Sequence, residues 1–161
     1  MILGMSTPVF TLVHIVLSLA GIFSGFVVLF GMICRRKEPL WTFLFFVTNI
    51  LTDATGFLFP FKALTPGLVI GALSLIVLTV AMIGYYILRL RGGWRGRYVI
   101  TMAVALYFNV FILVVQSFEK IGVLRAIAPT QSAPPFWITQ LVVLGLMIVL
   151  TVLAFRRFRP I

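Results

Sequence analysis

The sequence predicts an all-α membrane protein, a polytopic bundle of five transmembrane helices with the N-terminus outside the cell and the C-terminus in the cytoplasm. Five long apolar stretches follow one another, separated by short connectors. Hydrophobic residues make up 62% of the chain and charged residues only 10%, which is too little polar surface to coat a soluble globule of 161 residues. Lys and Arg crowd into every second connector, and short cytoplasmic loops are the ones that retain them.

The positive charges set the predicted orientation. Ten of the thirteen basic residues lie in segments 34–38 and 89–97 and in the C-terminal tail, which together mark one side of a membrane. The other two connectors hold Lys62 in one case and Lys120 with Arg125 in the other. This asymmetry predicts a multi-pass protein of the cell inner (plasma) membrane. It also accounts for the net charge of +10 without nucleic acid, which we do not expect as a partner because no basic groove with interleaved aromatic residues is present.

Each apolar stretch predicts one span, because about 20 residues rising about 1.5 Å each cross a hydrocarbon core of about 30 Å. The predicted spans are 8–33, 40–61, 67–88, 98–118 and 136–155. Six prolines fall at the ends of these spans, where a missing backbone donor costs least, so we expect helices without proline kinks. They are Pro39, Pro60, Pro66, Pro134, Pro135 and Pro160. One integral membrane domain over residues 1–161 is the expected organisation.

The longest connector, 119–135, ends in the sequence APTQSAPP. Its prolines predict a semi-rigid external loop and not a helix. Such a loop either covers the outward opening of the bundle or simply joins two spans.

Small residues suggest two places of close helix packing. Gly21 and Gly25 form a GxxxG pair, which permits helices to approach closely but is frequent in membrane spans by chance. Gly71, Ser74 and Ala81 form a small face on the third span, which we expect to pack between subunits of a homo-oligomer.

Polar residues inside the spans are the candidate ligand-binding residues, because the membrane makes them costly. Asp53 is the only acidic residue inside a span, and Asn49 lies one turn before it on the same predicted face. At about 1.5 Å per residue, the other polar side chains lie with Asp53 in the outer half of the bundle. The predicted outward-facing pocket is built from His14, Asn49, Asp53, Asn109, Gln116 and Gln140.

Each candidate also has a plainer interpretation. Interhelical hydrogen bonds alone explain Asn109, Gln116 and Gln140, and a packing role explains His14. Asp53 differs, because an intramembrane carboxylate is a functional candidate by default. If His14 and Asp53 face each other, the pair could relay a proton or fix the polar head of a ligand.

Three functions fit these residues. The leading one is a non-enzymatic binding or accessory protein whose pocket holds a lipid-like molecule such as a quinone or isoprenoid. The alternatives are a structural subunit of a larger membrane complex, and a small proton-coupled carrier or membrane enzyme that uses Asp53 and His14. The sequence assigns no catalytic residue and no cofactor. With Cys34 as its one cysteine and His14 as its one histidine, a monomer has no internal disulfide and no three-ligand zinc site of Cys and His.

Overall fold

A computed structural model describes residues 2–60 and 65–159, the side chain of Pro66 excepted. The regular secondary structure within these ranges is entirely helical. They are α1 (Thr7–Ile33), α2 (Pro39–Phe57), α3 (Pro66–Met82), a π-helix (Ile83–Ile87), α4 (Trp94–Lys120), α5 (Gly122–Ile127) and α6 (Pro134–Arg157).

Five helical segments are long and apolar enough to cross a membrane: α1, α2, α3 with its π-helix, α4 and α6. Within the described residues, the prediction of an all-α chain with five helices long and apolar enough to span a membrane is therefore confirmed. Helix α2 ends at Phe57. The predicted end of that span at Phe61 lies outside the described residues, as do Lys62 and Pro160.

The five long helices alternate in direction, since the connectors between them are short. Helix α1 packs against α2, α4 and α6, while α3 packs against α2 and α4, and α4 also packs against α6. Helix α4 is the most enclosed, with 39% of its most apolar stretch buried, against 17% for α6. The bundle is thus built around α4, and α6 lies at its periphery.

The alternation gives the bundle two different ends. One end, the basic end, carries the connectors after α1 and after the π-helix together with the tail after α6. Ten of the thirteen Lys and Arg residues lie at this end, in these segments and in the adjoining turns of α4 and α6. The opposite end, the loop end, carries α5 and the connector that leads into α6.

The GxxxG pair of α1 lies at a close contact of three helices. A Cβ atom at Gly21 would lie 2.9 Å from Nδ2 of Asn49 on α2. A Cβ atom at Gly25 would lie 2.7 Å from Leu106 on α4 and 2.8 Å from the ring of Phe45 on α2. Both distances are shorter than van der Waals contact, so only glycine permits this approach of the three helices.

The π-helix widens the last turn of the third span without a proline. The amide of Leu88 donates to the carbonyl of Ile83, and the amide of Leu90 donates to the carbonyl of Gly84, each at 2.9 Å. The following turn contains two residues with positive φ, Arg89 at 48° and Leu90 at 59°, and Leu90 is nevertheless buried. The wide turn precedes a reversal of the chain that returns Leu90 to the core.

Aromatic rings fill the core beside this turn. Tyr85 lies 5.2 Å from Tyr98 on α4, and Tyr86 lies 5.9 Å from Phe46 on α2, measured between ring centroids. Tyr98 is 1% exposed, and Thr42 of α2 interacts with its hydroxyl. The π-helix thereby directs two consecutive tyrosines toward two different neighbouring helices.

Arg95 ties the start of α4 to the end of α6. Its Nη1 donates to the carbonyl of Phe155 at 2.8 Å and to the carbonyl of Phe158 at 2.5 Å. Its guanidinium also lies 5.2 Å from the ring centroid of Phe155. The last carbonyls of a helix lack intrahelical partners, so Arg95 supplies the donors that α6 needs at its C-terminus.

Two predictions from the sequence are wrong. The connector 119–135 is not free of helix, because α5 occupies Gly122–Ile127. The prolines all lie after this segment, and Leu124 holds it against the cluster of Phe118, Ala128 and Phe136.

The second wrong prediction concerns the small face of α3, because two of its three residues are buried inside one chain and do not face another subunit. Ser74 is 2% exposed and Ala81 is fully buried within a single chain. The periodicity of α3 does not reveal this, since apolar side chains surround the helix on every side and leave its inner face unmarked.

We expect Gly25→Ala to lower the free energy of unfolding by about 1–3 kcal/mol, because the added methyl group overpacks a buried contact with Leu106 and Phe45. Equilibrium unfolding in mixed micelles measures this change. The matched control is Gly145→Ala on α6, where an added Cβ meets nothing within 4 Å. That variant should be neutral or slightly stabilising, and equal effects of the two substitutions would contradict the packing described above.

We expect Arg95→Gln to lower stability by about 1 kcal/mol and to speed amide exchange in the last turn of α6, because two terminal carbonyls lose a charged donor. Hydrogen exchange followed by mass spectrometry measures the effect at Phe155 to Phe158. Arg97→Gln is the control, since the Arg97 guanidinium lies over Trp94 of its own helix. Unchanged exchange in the Arg95 variant would show that the tail is held by other contacts.

Candidate functional site

Two predicted site residues form a buried pair at the junction of three helices. Nδ2 of Asn109 on α4 donates to Oδ1 of Asn49 on α2, and Nδ2 of Asn49 donates to the carbonyl of Phe45 at 2.6 Å. Asn49 is fully buried and Asn109 is 8% exposed. Gly21 of α1 leaves the space that the Asn49 amide occupies. The pair therefore connects α2 to α4 inside the bundle, as an interhelical hydrogen bond does in a membrane.

Asp53 lies one turn along α2 from Asn49 and faces α3. Its Oδ1 would lie 3.8 Å from a Cβ atom at Gly71, an ordinary van der Waals distance, so the carboxyl lies directly beside this position of α3. The hydroxyl of Ser74 is close enough to interact with the carboxyl. Oδ2 of Asp53 and Oγ of Ser74 are nevertheless both buried without a hydrogen-bond partner among the described residues. The contact between the two groups therefore does not reach the geometry of a hydrogen bond.

Ser74 departs from the behaviour of most other hydroxyl residues in the spans. A serine or threonine inside a membrane helix usually donates to the carbonyl four residues earlier. Ten side chains of the described spans do so: Thr11, Ser24, Thr48, Thr52, Thr55, Thr79, Thr101, Ser117, Thr139 and Thr151. The Ser74 hydroxyl makes no such bond and is left beside the Asp53 carboxyl.

His14 contacts α2 at a different face. Its Nδ1 lies 2.8 Å from Oγ1 of Thr55, and its ring packs edge-on against Phe59. The Thr55 hydroxyl donates to the carbonyl of Leu51 at 2.7 Å, so its one hydrogen is already used. With the Thr55 hydrogen on that carbonyl, Nδ1 of His14 donates in the contact with Thr55.

The structure does not bring His14 and Asp53 together. Thr55, the partner of His14, lies two residues after Asp53, and two residues along a helix turn the direction by about 200°. Asp53 therefore points toward α3 while Thr55 points toward α1. Among residues 2–60 and 65–159, no hydrogen bond or ion pair joins the histidine and the carboxylate.

Gln140 and Gln116 occupy two further positions near the loop end. Nε2 of Gln140 on α6 donates to the carbonyl of Phe111 on α4 at 3.2 Å. Its Oε1 is buried without a partner in the described part of the chain. Gln116 on α4 is half-buried and makes no hydrogen bond to another described residue. Five of the six predicted residues thus lie at four helix contacts: His14 between α1 and α2, Asn49 and Asn109 between α2 and α4, Asp53 between α2 and α3, and Gln140 between α4 and α6.

Sequence reasoning missed the partners that α3 brings to Asp53. Ser74 and Gly71 were assigned to a subunit contact, although they sit three residues apart and are the small and polar positions nearest the carboxyl. The sequence shows these small and polar residues on one helix, but it does not indicate which face of an apolar helix packs inward. Within the described residues, no three His, Cys, Asp or Glu side chains cluster as metal ligands.

The helices define a class of protein, a small multi-pass helical membrane protein. Comparison of the chain with protein-family models, with curated proteins and with solved structures gives no match. The geometry of its own residues is therefore the guide to its function.

We expect the double-mutant cycle of Asn49→Ala and Asn109→Ala to give a coupling energy of about 0.6–1.7 kcal/mol, the range measured for hydrogen bonds between membrane helices. Each single variant should be destabilised, because the remaining amide loses its partner in a buried site. Unfolding in mixed micelles measures all four proteins. Gln116→Ala removes an amide without a hydrogen bond and is the control. A coupling energy near zero would remove the pair from the contacts that hold α2 to α4.

Proposed function

We propose that the protein is a non-enzymatic binding protein that holds the polar head of a lipid-like molecule between α2 and α3. The observation that carries this proposal is the pair of buried oxygens without partners, Oδ2 of Asp53 and Oγ of Ser74. A buried polar group without a hydrogen bond costs about 1–3 kcal/mol, and more when it is charged. A ligand that supplies the missing bonds recovers this cost.

The chemistry of the two groups narrows the ligand class. An ionised carboxylate only accepts hydrogen bonds, whereas a serine hydroxyl both donates and accepts. A single hydroxyl group satisfies both, since it donates to Asp53 and accepts from Ser74. This favours an isoprenoid alcohol or the reduced form of a quinone. An oxidised quinone presents only carbonyl acceptors, which accept from the Ser74 hydroxyl but offer no hydrogen to an ionised carboxylate.

The surroundings of the two groups suit an apolar tail. Phe57 of α2 and Val69 and Leu73 of α3 are 38%, 51% and 45% exposed on the lipid-facing surface of the same helices. Gly71 leaves the volume of one methyl group beside the carboxyl. A head group between α2 and α3 would therefore continue into a chain lying against these side chains within the hydrocarbon core.

The orientation and the membrane belong to the same proposal. The collection of ten basic residues at the basic end supports placing that end in the cytoplasm, with the N-terminus and the loop end outside. The cell inner membrane is the location consistent with this arrangement. The five apolar helices support the lipid bilayer as a partner. The proposal also includes assembly into a homo-oligomer or a larger membrane complex.

The alternative of a proton-coupled carrier or membrane enzyme has less support. It requires exchange between His14 and Asp53, but His14 bonds to Thr55 and Asp53 faces α3. Asn49 and Asn109 satisfy each other and so support the fold more than ligand binding.

The test is native mass spectrometry of the protein after extraction in a mild detergent. We expect an adduct that bulk phospholipid does not account for, and titration with farnesol as a probe alcohol should reproduce binding at the same site. Asp53→Asn should weaken farnesol binding about tenfold, equivalent to about 1.4 kcal/mol, because an amide replaces the charged acceptor.

Ser74→Ala should also weaken farnesol binding, while Thr79→Val on the exposed face of the same helix should not, since Thr79 bonds to its own helix. Unfolding in mixed micelles serves as the fold control for each variant. Farnesol affinity that is unchanged in both the Asp53 and the Ser74 variants would overturn the proposal.

A further inference from the structure

A separate cleft lies at the loop end, between the end of α4, α5 and the connector that leads into α6. Its volume is about 290 Å³. The residues that line it include Phe118, Glu119, Arg125, Gln131 and Phe136. None of them belongs to the contacts of Asp53 and Ser74, so this cleft is independent of the function proposed above.

The floor of the cleft is aromatic and packed. Phe118 and Phe136 meet edge to face with ring centroids 5.6 Å apart, and they are 9% and 3% exposed. Ala128 is buried with them, and Leu124 and Ala133 pack against the cluster. The cleft thus has a fixed apolar base, although its rim is formed by a connector.

The rim carries opposite charges that do not neutralise each other. Oε1 of Glu119 accepts a hydrogen bond from Nε2 of Gln131 at 2.9 Å, which orients the carboxylate. Arg125 lines the same cleft from α5, yet Glu119 and Arg125 form no ion pair with each other. Within one small cleft the chain therefore presents an oriented anion, a cation and aromatic rings.

We propose that this cleft binds a compact zwitterion, with its ammonium group at Glu119 over the phenylalanine floor and its anionic group at Arg125. A carboxylate pairs with an ammonium ion, and an aromatic ring attracts the same cation. Arg recognises phosphate and carboxylate groups through its planar fork of donors. The volume lies at the lower limit of small-molecule sites, about 300 Å³, which suits a head group and not a long molecule.

The position of the cleft suggests where the zwitterion comes from. Helix α4 ends at Lys120, so the cleft lies where the spans leave the hydrocarbon core. A phospholipid head group with an ethanolamine reaches this depth, and so does a dissolved zwitterion of the same chemistry. Both sources share the ammonium and the anion, and the experiment separates them.

The experiment measures binding to the delipidated, full-length protein by native mass spectrometry. The probes are phosphatidylethanolamine and phosphatidylglycerol with identical acyl chains, and water-soluble phosphoethanolamine. We expect phosphatidylethanolamine to bind about tenfold more tightly than phosphatidylglycerol, which carries the phosphate but no ammonium; tenfold corresponds to about 1.4 kcal/mol. Glu119→Gln should remove most of this preference, and Arg125→Gln should weaken both lipids.

Lys120→Gln is the matched control, because it removes a charge next to Glu119 in sequence but does not line the cleft. It should leave the preference unchanged. Phosphoethanolamine binding at least as tight as that of the lipid would support the site and identify a dissolved zwitterion as its ligand. Equal binding of the two lipids by the unsubstituted protein, with no phosphoethanolamine bound, would overturn the proposal without reference to any variant.

Discussion

The approach of α1 to α2 and α4 at Gly21 and Gly25 is the contact on which the rest of the bundle depends. Lipid tails are as apolar as leucine, so membrane helices gain little from hydrophobic burial and rely on close packing and hydrogen bonds. The two glycines permit both. Gly25 admits Leu106 and the ring of Phe45, and Gly21 admits the amide of Asn49, which accepts a hydrogen bond from Asn109. Three helices are therefore held by one stretch of α1.

The polar side chains of the spans divide according to how they are satisfied. Most hydroxyls return to a carbonyl of their own helix, and the asparagine pair satisfies itself across the bundle. Oδ2 of Asp53, Oγ of Ser74 and Oε1 of Gln140 remain without partners within the described residues. Because the membrane offers no water to bond such groups, the burial of these orphaned oxygens costs stability, whereas the satisfied groups help to hold the fold.

The two ends of the bundle are built by different means. At the basic end, Arg95 closes the last turn of α6, and the π-helix directs Tyr85 and Tyr86 into neighbouring aromatic contacts. At the loop end, a short helix and a proline-bounded connector rest on Phe118 and Phe136. The first arrangement joins helices that already pack together. The second leaves a cleft with separated charges.

The sequence by itself determined the class and the five spans, because length and apolar composition alone decide whether a helix can cross a bilayer. The ten clustered basic residues likewise predicted which ends lie together. The tertiary structure decided what depends on helix rotation: that Asp53 meets Ser74 and not His14, that Ser74 and Ala81 face inward, and that α5 forms between α4 and α6. A span that is apolar on every face carries no periodic signal of its rotation, so only packing against its neighbours defines the partners of each polar side chain.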